Sequence, residues 1–460
     1  MGSKWETVRL GDLTKWSSGG TPNKSEDSYW NGTIPWISAS SMEGHLYSDS
    51  KLKITEDGLI NGSRLAPANS ILLLVRGSIL HQKIQVGLAT KAVAFNQDVK
   101  CLIVNNDMID PWYLLLWFKA KEQDLLKIVE STGIGAGKLD TKLLMDYPVE
   151  IPPKEIKEYI RFFGKAIFDK TTLNENINYN LEKMSQTLFK SWFVDFDPVI
   201  DNALDAGNPI PEALQSRAEL RQKVRNCADF KPLPAEIRSL FPSEFEETEL
   251  GWVPKGWSFT ALKNFGKIIC GKTPTKSNKN YYGEDFLFIK IPDMHGKVFV
   301  TNSHDKLSKL GSESQSNKII PHGSICVSCI ATVGLVSINA QDCHTNQQIN
   351  SIVPNSPHYR NYLYFSMLEK YKIFHDLASG GSATLNMNTS VFSNIATLMP
   401  NNLVLKQFHK ITEPWFEAIL LNEYKLTSLA SLRDTLLPKL ISGELSLEDL
   451  PDLNTDTEAA

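Results

Sequence analysis

The sequence predicts a fold of mixed α and β structure (α+β, or mixed α/β) built twice over: two repeated globular domains and two long helices that pair antiparallel as a coiled coil about a pseudo-two-fold. Three observations predict it: an internal repeat, short β-rich runs alternating with turns inside each copy, and a long amphipathic stretch that closes each copy.

Self-similarity appears first at one ungapped offset. Trp5-x4-Leu10 recurs 252 residues later as Trp257-x4-Leu262. The same offset carries Gly19 to Gly271, Thr21-Pro22 to Thr273-Pro274, Lys24 to Lys276, Tyr29 to Tyr281, Trp36-Ile37 to Phe288-Ile289 and Met42 to Met294. Short gaps then shift the offset: Val86-Gly87-Leu88 matches Val333-Gly334-Leu335, and Asn96-Gln97 matches Asn346-Gln347. Leu173-Asn174-Glu175 matches Leu421-Asn422-Glu423 at an offset of 248. A chain of 460 residues exceeds what one hydrophobic core organises. The repeat divides it into a first globular domain, 1–152, a helix, 153–196, and a Pro-rich charged connector, 197–249. A second domain, 250–400, a second helix, 401–445, and an acidic tail, 446–460, follow.

Inside the first copy, Ser70 to Val75 and Cys101 to Val104 read as strands. Pro111 to Ile128 reads as an apolar helical stretch, followed by a Gly-rich loop and a short strand ending in Ile151-Pro152-Pro153. Lys154 to Phe193 contains no Pro and a single glycine, Gly164. Heptad-spaced positions are Ile156, Phe163, Lys170, Ile177 and Met184, and, four further on, Ile160, Ile167, Asn174, Leu181 and Leu188. The second set maps onto Phe408, Trp415, Asn422, Leu429 and Leu436. Helices of about 40 residues are about 60 Å long. Pro414 predicts a kink or a late start in the second. Asn174 and Asn422 occupy otherwise apolar positions near the middle of each helix. Antiparallel pairing would bring them together as a register-fixing amide pair; the alternative is that each faces solvent. Phe162, Phe168, Trp192 and Phe416 lie beyond a single seam and predict a surface for a partner.

Hydrophobic content of 42% and charged content of 22% are those of an ordinary globular protein. No apolar run reaches membrane-span length, no signal-like segment opens the chain, and six cysteines do not form a disulfide framework. The expected setting is the reducing cytoplasm, away from membranes. A net charge of −4 excludes a generic basic nucleic-acid coat but leaves room for local basic patches.

The repeat and its motifs resemble the specificity subunit of type I restriction-modification enzymes over nearly the whole chain. The residues that carry the resemblance are Trp5 to Leu10 with Ser18-Gly19-Gly20-Thr21-Pro22, Ile34-Pro35-Trp36, Leu188 to Phe193, Leu250 to Trp257, and Leu436 to Gly443. The resemblance implies that 1–152 and 250–400 are target-recognition domains, each reading one half of a bipartite site in double-stranded DNA. It implies helices that set the spacer and dock two modification (methyltransferase) subunits, with restriction (translocase and nuclease) subunits joining them. S-adenosylmethionine, ATP and magnesium belong on those partners. No cofactor, metal or catalytic residue is expected in this chain.

The alternative is a self-sufficient nuclease or methyltransferase. Cys326-x-x-Cys329 with His322, Cys343 and His344 suggests a zinc site, but the cysteines fall opposite Leu72 and Leu74 or Val75 of an apolar strand, where small buried thiols also fit. Gly135-x-Gly137-Lys138 is a poor phosphate loop: Thr132 stands where its first glycine belongs and Leu139 where Ser or Thr belongs. Its second copy, Gly380 to Thr384, has no lysine. Glu284-Asp285 with Lys290 could be a nuclease cluster, but Gly32, Thr33 and Ser38 replace it in the first copy.

Sequence readers carry Arg, Lys, Asn, Gln and Ser/Thr on loops that reach bases and phosphates. The expected DNA-binding residues in the first domain are Thr21, Lys24, Ser38, Arg76, Lys83, Asn96, Gln97 and Lys138. In the second they are Lys272, Thr273, Lys276, Lys290, Asn346, Gln347 and Asn386. Gly19 and Gly271 are expected to let the loop backbone approach the ligand.

Overall fold

The computed structural model describes residues 5–42, 44–132, 135–379 and 385–446. Gly380 to Thr384 and nearly all of the acidic tail lie outside the described residues. The chain forms two compact units: residues up to 171 together with those from 428 on, and residues 172–427.

In the first unit, β-branched and Leu-rich runs form a five-stranded sheet in the order Thr14–Ser18, Val99–Val104, Ile71–Leu74, Val86–Ala89, Leu46–Tyr47. All pairs are antiparallel except the last. Its central strand, Ile71–Leu74, is buried on both faces, which is why it is continuously apolar rather than alternating. A second sheet contains Trp30–Ile37 and Val93–Phe95 in parallel. The terminal strand Glu6–Arg9 closes the domain by pairing antiparallel with Pro148–Ile151.

The second unit repeats this plan. Its five strands run Gly266–Cys270, Ile349–Pro354, Ile325–Ser328, Val336–Asn339, Phe299–Val300, with the same alternation of senses. Tyr282–Ile289 pairs in parallel with Cys343–Thr345, and Ser258–Ala261 pairs with Ala396–Met399. The apolar stretch expected over Pro111 to Ile128 is two helices, Pro111–Ala120 and Glu122–Leu126. Asp110 caps the first through the amides of Trp112 and Tyr113, with Pro at its first position. Tyr113 to Phe118 are all fully buried, so this helix has no solvent face.

The long helices are Lys154–Phe193 and Asn402–Ser442. Pro414 neither delays nor breaks the second, which starts twelve residues before it. In the second unit Asn178 meets Asn422, and Trp192 meets Phe408. Numbers rise along one helix as they fall along the other, so the pair is antiparallel. In the first unit Ile160 and Phe168 share a core with Leu437, Leu440 and Ile441. The buried seam runs through Ile160, Ile167, Asn174, Ser185 and Phe189, while Lys170, Ile177 and Met184 turn to solvent.

The structure corrects two expectations here. Asn422 Nδ2 donates to Asn178 Oδ1 at 3.0 Å, so its partner is Asn178 and not Asn174, one helical turn away. Asn178 Nδ2 donates in turn to Glu423 Oε1 at 3.1 Å, and the buried Asn174 Nδ2 has no partner among the described residues. The reason is arithmetic: the two asparagines match at an offset of 248, but the helices pair with residue numbers that sum to 600. Second, Phe168, Trp192 and Phe416 are core residues, and only Phe162 remains exposed.

The connector is folded rather than open chain. Asp197, Asp201 and Asp205 lie four apart on the helix Asp197–Ala206, and Arg217, Arg221 and Arg225 four apart on the helix Gln215–Arg225. They pair rung by rung: Arg217 Nε to Asp197 Oδ1 at 2.7 Å, Arg221 Nε to Asp201 Oδ1 at 3.1 Å, and Arg225 to Asp205.

Candidate nucleic-acid interface

Asn96-Gln97-Asp98 forms the tight turn between Val93–Phe95 and Val99–Val104. Asn96 is buried and spends its side chain on that turn: Oδ1 accepts from the Asp98 amide at 3.2 Å, and Nδ2 donates to Asp98 Oδ2 at 3.3 Å. Gln97 is exposed, and its Oε1 accepts from Thr21 Oγ1 at 2.7 Å. Its Nε2 donors are thereby left for another acceptor.

The second unit reproduces this turn. Asn346 Oδ1 accepts from the Gln348 amide at 3.2 Å and Nδ2 donates to Gln348 Oε1 at 2.8 Å. Thr273 Oγ1 donates to Gln347 Oε1 at 2.7 Å. Thr21 and Thr273 reach the glutamines because the glycine two residues earlier lies flat on the adjoining backbone. A Cβ on Gly19 would come within 2.0 Å of Phe95 O, and one on Gly271 within 2.2 Å of Asn346 O. These glycines serve an internal close approach.

Beside Gln97 the strand Arg76–Gly77 pairs antiparallel with Gly137–Leu139, setting Arg76 directly across from Lys138. With Gln97, Asp98, Lys100, Asp140 and Lys142 they line a cleft of about 490 Å³. Asp140 caps a helix turn through the amides of Leu143 and Lys142, which hold its carboxyl below the usual range. Lys100 and Lys142 were not singled out in the sequence. Lys100 enters the cleft because its strand sets it opposite Ser18, whose hydroxyl it bonds at 2.5 Å. A lysine on a strand gives no sign of which neighbour it will meet.

The remaining candidates are scattered. Lys24, Lys272 and Lys276 are exposed on their loops, and Lys83 is exposed on a separate turn that does not line the cleft. Ser38 is buried in a turn, with its Oγ 3.0 Å from Ser40 Oγ. Lys290 is held by Asp305. Asn386 is exposed and forms a single β-bridge with Ile330.

The enzyme-like clusters do not converge. Glu284 pairs with Lys306 at 2.6 Å and Asp285 accepts from the Lys309 amide at 3.0 Å, while Lys290 is turned to Asp305. Burial pushes the Cys326 thiol up to about 11 and Cys329 up to about 12. His344 is buried between Ser312 and Gln315. Among the described residues no group of three or more His, Cys, Asp or Glu side chains is arranged to hold a metal. Gly137-Lys138 lies in a strand rather than at a helix N-terminus.

The comparisons with known proteins agree with this duplicated plan. The family model for the type I restriction modification DNA specificity domain matches residues 2–183 and 254–403. The HindI specificity subunit of Haemophilus influenzae is 38% identical over 82% of this chain and 89% of its own length. The MjaIX specificity subunit of Methanocaldococcus jannaschii is 25% identical over 97% of this chain and 94% of its own. In fold, the chain is similar to the solved type I restriction-modification S subunit from M. genitalium, with a TM-score of 0.52, 13% identity, and coverage of 95% of this chain and 96% of that one. With its two copies of one sheet plan, its duplicated Thr–Gln turn and a family match in both halves, the chain belongs to the type I restriction-modification DNA specificity family.

Proposed function

We propose that the chain binds a bipartite site in double-stranded DNA as the specificity subunit of a type I restriction-modification complex, with domain 1–152 reading one half and domain 250–400 the other. The long helices, 153–196 and 401–445, set the spacer and dock two modification subunits; restriction subunits complete the assembly. Chemistry on DNA, with S-adenosylmethionine, ATP and magnesium, belongs to those partners, in the cytoplasm. The observation that carries the reading is the duplicated turn: Thr21–Gln97 and Thr273–Gln347 present an exposed amide from the matching turn between two sheets in both copies. Thr21, Lys24, Arg76, Gln97 and Lys138, with Lys272, Thr273, Lys276, Gln347 and Asn386, are the proposed contacts. Asn96 and Asn346 shape the turns behind them.

The test is co-expression with the cognate modification subunit, followed by mapping of methylated bases. A complex near one specificity subunit to two modification subunits should methylate one bipartite motif. Exchange of residues 1–150 for those of a relative should change one half of that motif only. Change in both halves, or in neither, overturns the two-reader model. DNA cleavage or methylation by the purified chain alone would favour the self-sufficient enzyme.

A further inference from the structure

The repeat supplies its own control, because two matching backbone bonds fix which residues correspond. Val75 N–H donates to Asp98 O at 2.8 Å, as Cys329 N–H does to Gln348 O at 2.8 Å. Leu139 N–H donates to Val75 O at 2.9 Å, as Met387 N–H does to Cys329 O at 2.8 Å. Arg76 therefore corresponds to Ile330, Lys138 to Asn386, Lys100 to Asn350 and Lys142 to Ser390. The Thr–Gln pair and the Asn turn are the same in both copies, so they cannot distinguish two different half-sites. What differs is the wall around them: four cations in the first domain, none at the matching places in the second.

Arg76 and Lys138 stand directly opposite one another on adjacent strands. Like charges so placed destabilise a sheet, and the neutral Ile330–Asn386 bridge demonstrates that the fold does not need them. Neither side chain has a hydrogen bond or ion pair among the described residues; of the nearby carboxylates, Asp98 accepts from Asn96 through Oδ2 and Asp140 from helix amides through Oδ1. Arg76, Lys138 and the outward Gln97 amide therefore line the cleft with donors that need an acceptor-rich edge. A duplex offers such edges at the O6 and N7 of guanine in the major groove, at the N3 and O2 of A·T pairs in the minor groove and at the backbone phosphates; of the base edges, guanine's is the one that Arg and Lys take bidentately.

We infer that the Arg76–Lys138 strand pair is the base-reading element of the first domain and takes a guanine edge, while Ile330 and Asn386 fill the corresponding place in the second domain with the chemistry of an A·T pair. Asn presents the donor and acceptor that match adenine, and Ile an apolar contact for the thymine methyl. Phosphate binding is disfavoured because a sequence-independent anchor would be expected in both copies, and only one has the charges. This assignment rests on the reading of the chain as a selector of DNA sequence.

The test uses the complex with its modification subunits. The motif is first mapped with the unaltered chain, and failure to find a bipartite motif refutes the reading rather than this assignment. R76I/K138N, which installs the second domain's residues, should then lose discrimination at a guanine position of the first half-site by about 5- to 150-fold, leaving the second half-site unchanged. R76Q alone is the milder variant should the double one fold poorly. Replacing that guanine with 7-deazaguanine, which deletes N7, should weaken binding by the unaltered complex. Three results overturn the inference: a first half-site without a G·C pair, full tolerance of 7-deazaguanine, or a uniform loss of affinity across all sequences with a shallower salt dependence, which would mark a phosphate contact.

Discussion

His344 has no solvent exposure, and its ring lies between Ser312 Oγ at 2.8 Å and Gln315 Nε2 at 3.3 Å. Burial lowers its pKa to about 4. His45, in the first unit, is also lowered to about 4, by burial first and then by Lys119 and Arg433. Both rings are therefore neutral in the folded chain, while an unfolded histidine titrates near about 6.5. As pH falls from about 6.5 towards 4 the unfolded state gains protons that the folded state refuses, so the stability present above this window declines through it. Melting followed by calorimetry from pH 7 to pH 4 should show that decline, and H344Q, which has no proton to gain, should flatten it for the second unit. An unaltered slope in H344Q would remove His344 as a cause. At this scale Asn96-Gln97 stood out in sequence as a pair of amides. Asn96 is held in its own turn by Asp98, two residues on, whereas Gln97 is oriented by Thr21, 76 residues away.

Among elements, the helix pair contains the most informative discrepancy. The two-heptad logic identified asparagines at buried positions, and Asn174 and Asn422 are buried at 3% and 6% exposure. Partnership was set by the packing of one helix on the other, which sequence periodicity leaves free by a turn. Asn178→Leu or Asn422→Leu should each destabilise the chain by about 1–3 kcal/mol, because the remaining amide is buried without its partner. The double variant N178L/N422L should recover in urea unfolding the part of that loss that comes from the orphaned amide, though not the Asn178–Glu423 bond, while helix register, read by paired spin labels, becomes mixed. A double variant as unstable as the sum of the singles would contradict this pairing. The connector makes the same point in another form: its Asp and Arg residues at four-residue spacing are visible in the sequence, yet their pairing requires a chain reversal between the two helices.

For the molecule as a whole, each long helix contributes residues to both units. If these helices set the spacer, lengthening both should widen it. The observed pairing places opposing insertions after Asn176 and Glu423, since Asn178 faces Asn422. One heptad adds about 10 Å to a helix, and base pairs rise about 3.4 Å each, so the double insertion should widen the methylated motif's spacer by up to about three base pairs. Both half-site sequences should persist, because no reading residue changes. A single insertion should lose function by breaking register. An active double variant restricted to the original spacing would show that the helices do not measure it.

Duplication, the alternation of strand-forming runs with turns, and the two long amphipathic stretches are local or periodic properties, and the sequence by itself determined them. The family was legible as well, through the resemblance of its motifs rather than through their spacing. The tertiary structure alone decided which buried asparagine meets which, that Phe168, Trp192 and Phe416 close cores, and that Lys290 answers Asp305. It also decided that Arg76 faces Lys138 beside Gln97, residues distant in the chain and adjacent only through strand register. The physical reason is that periodicity specifies which face of an element is buried, whereas the identity of the neighbour on that face follows from the packing of elements remote in sequence.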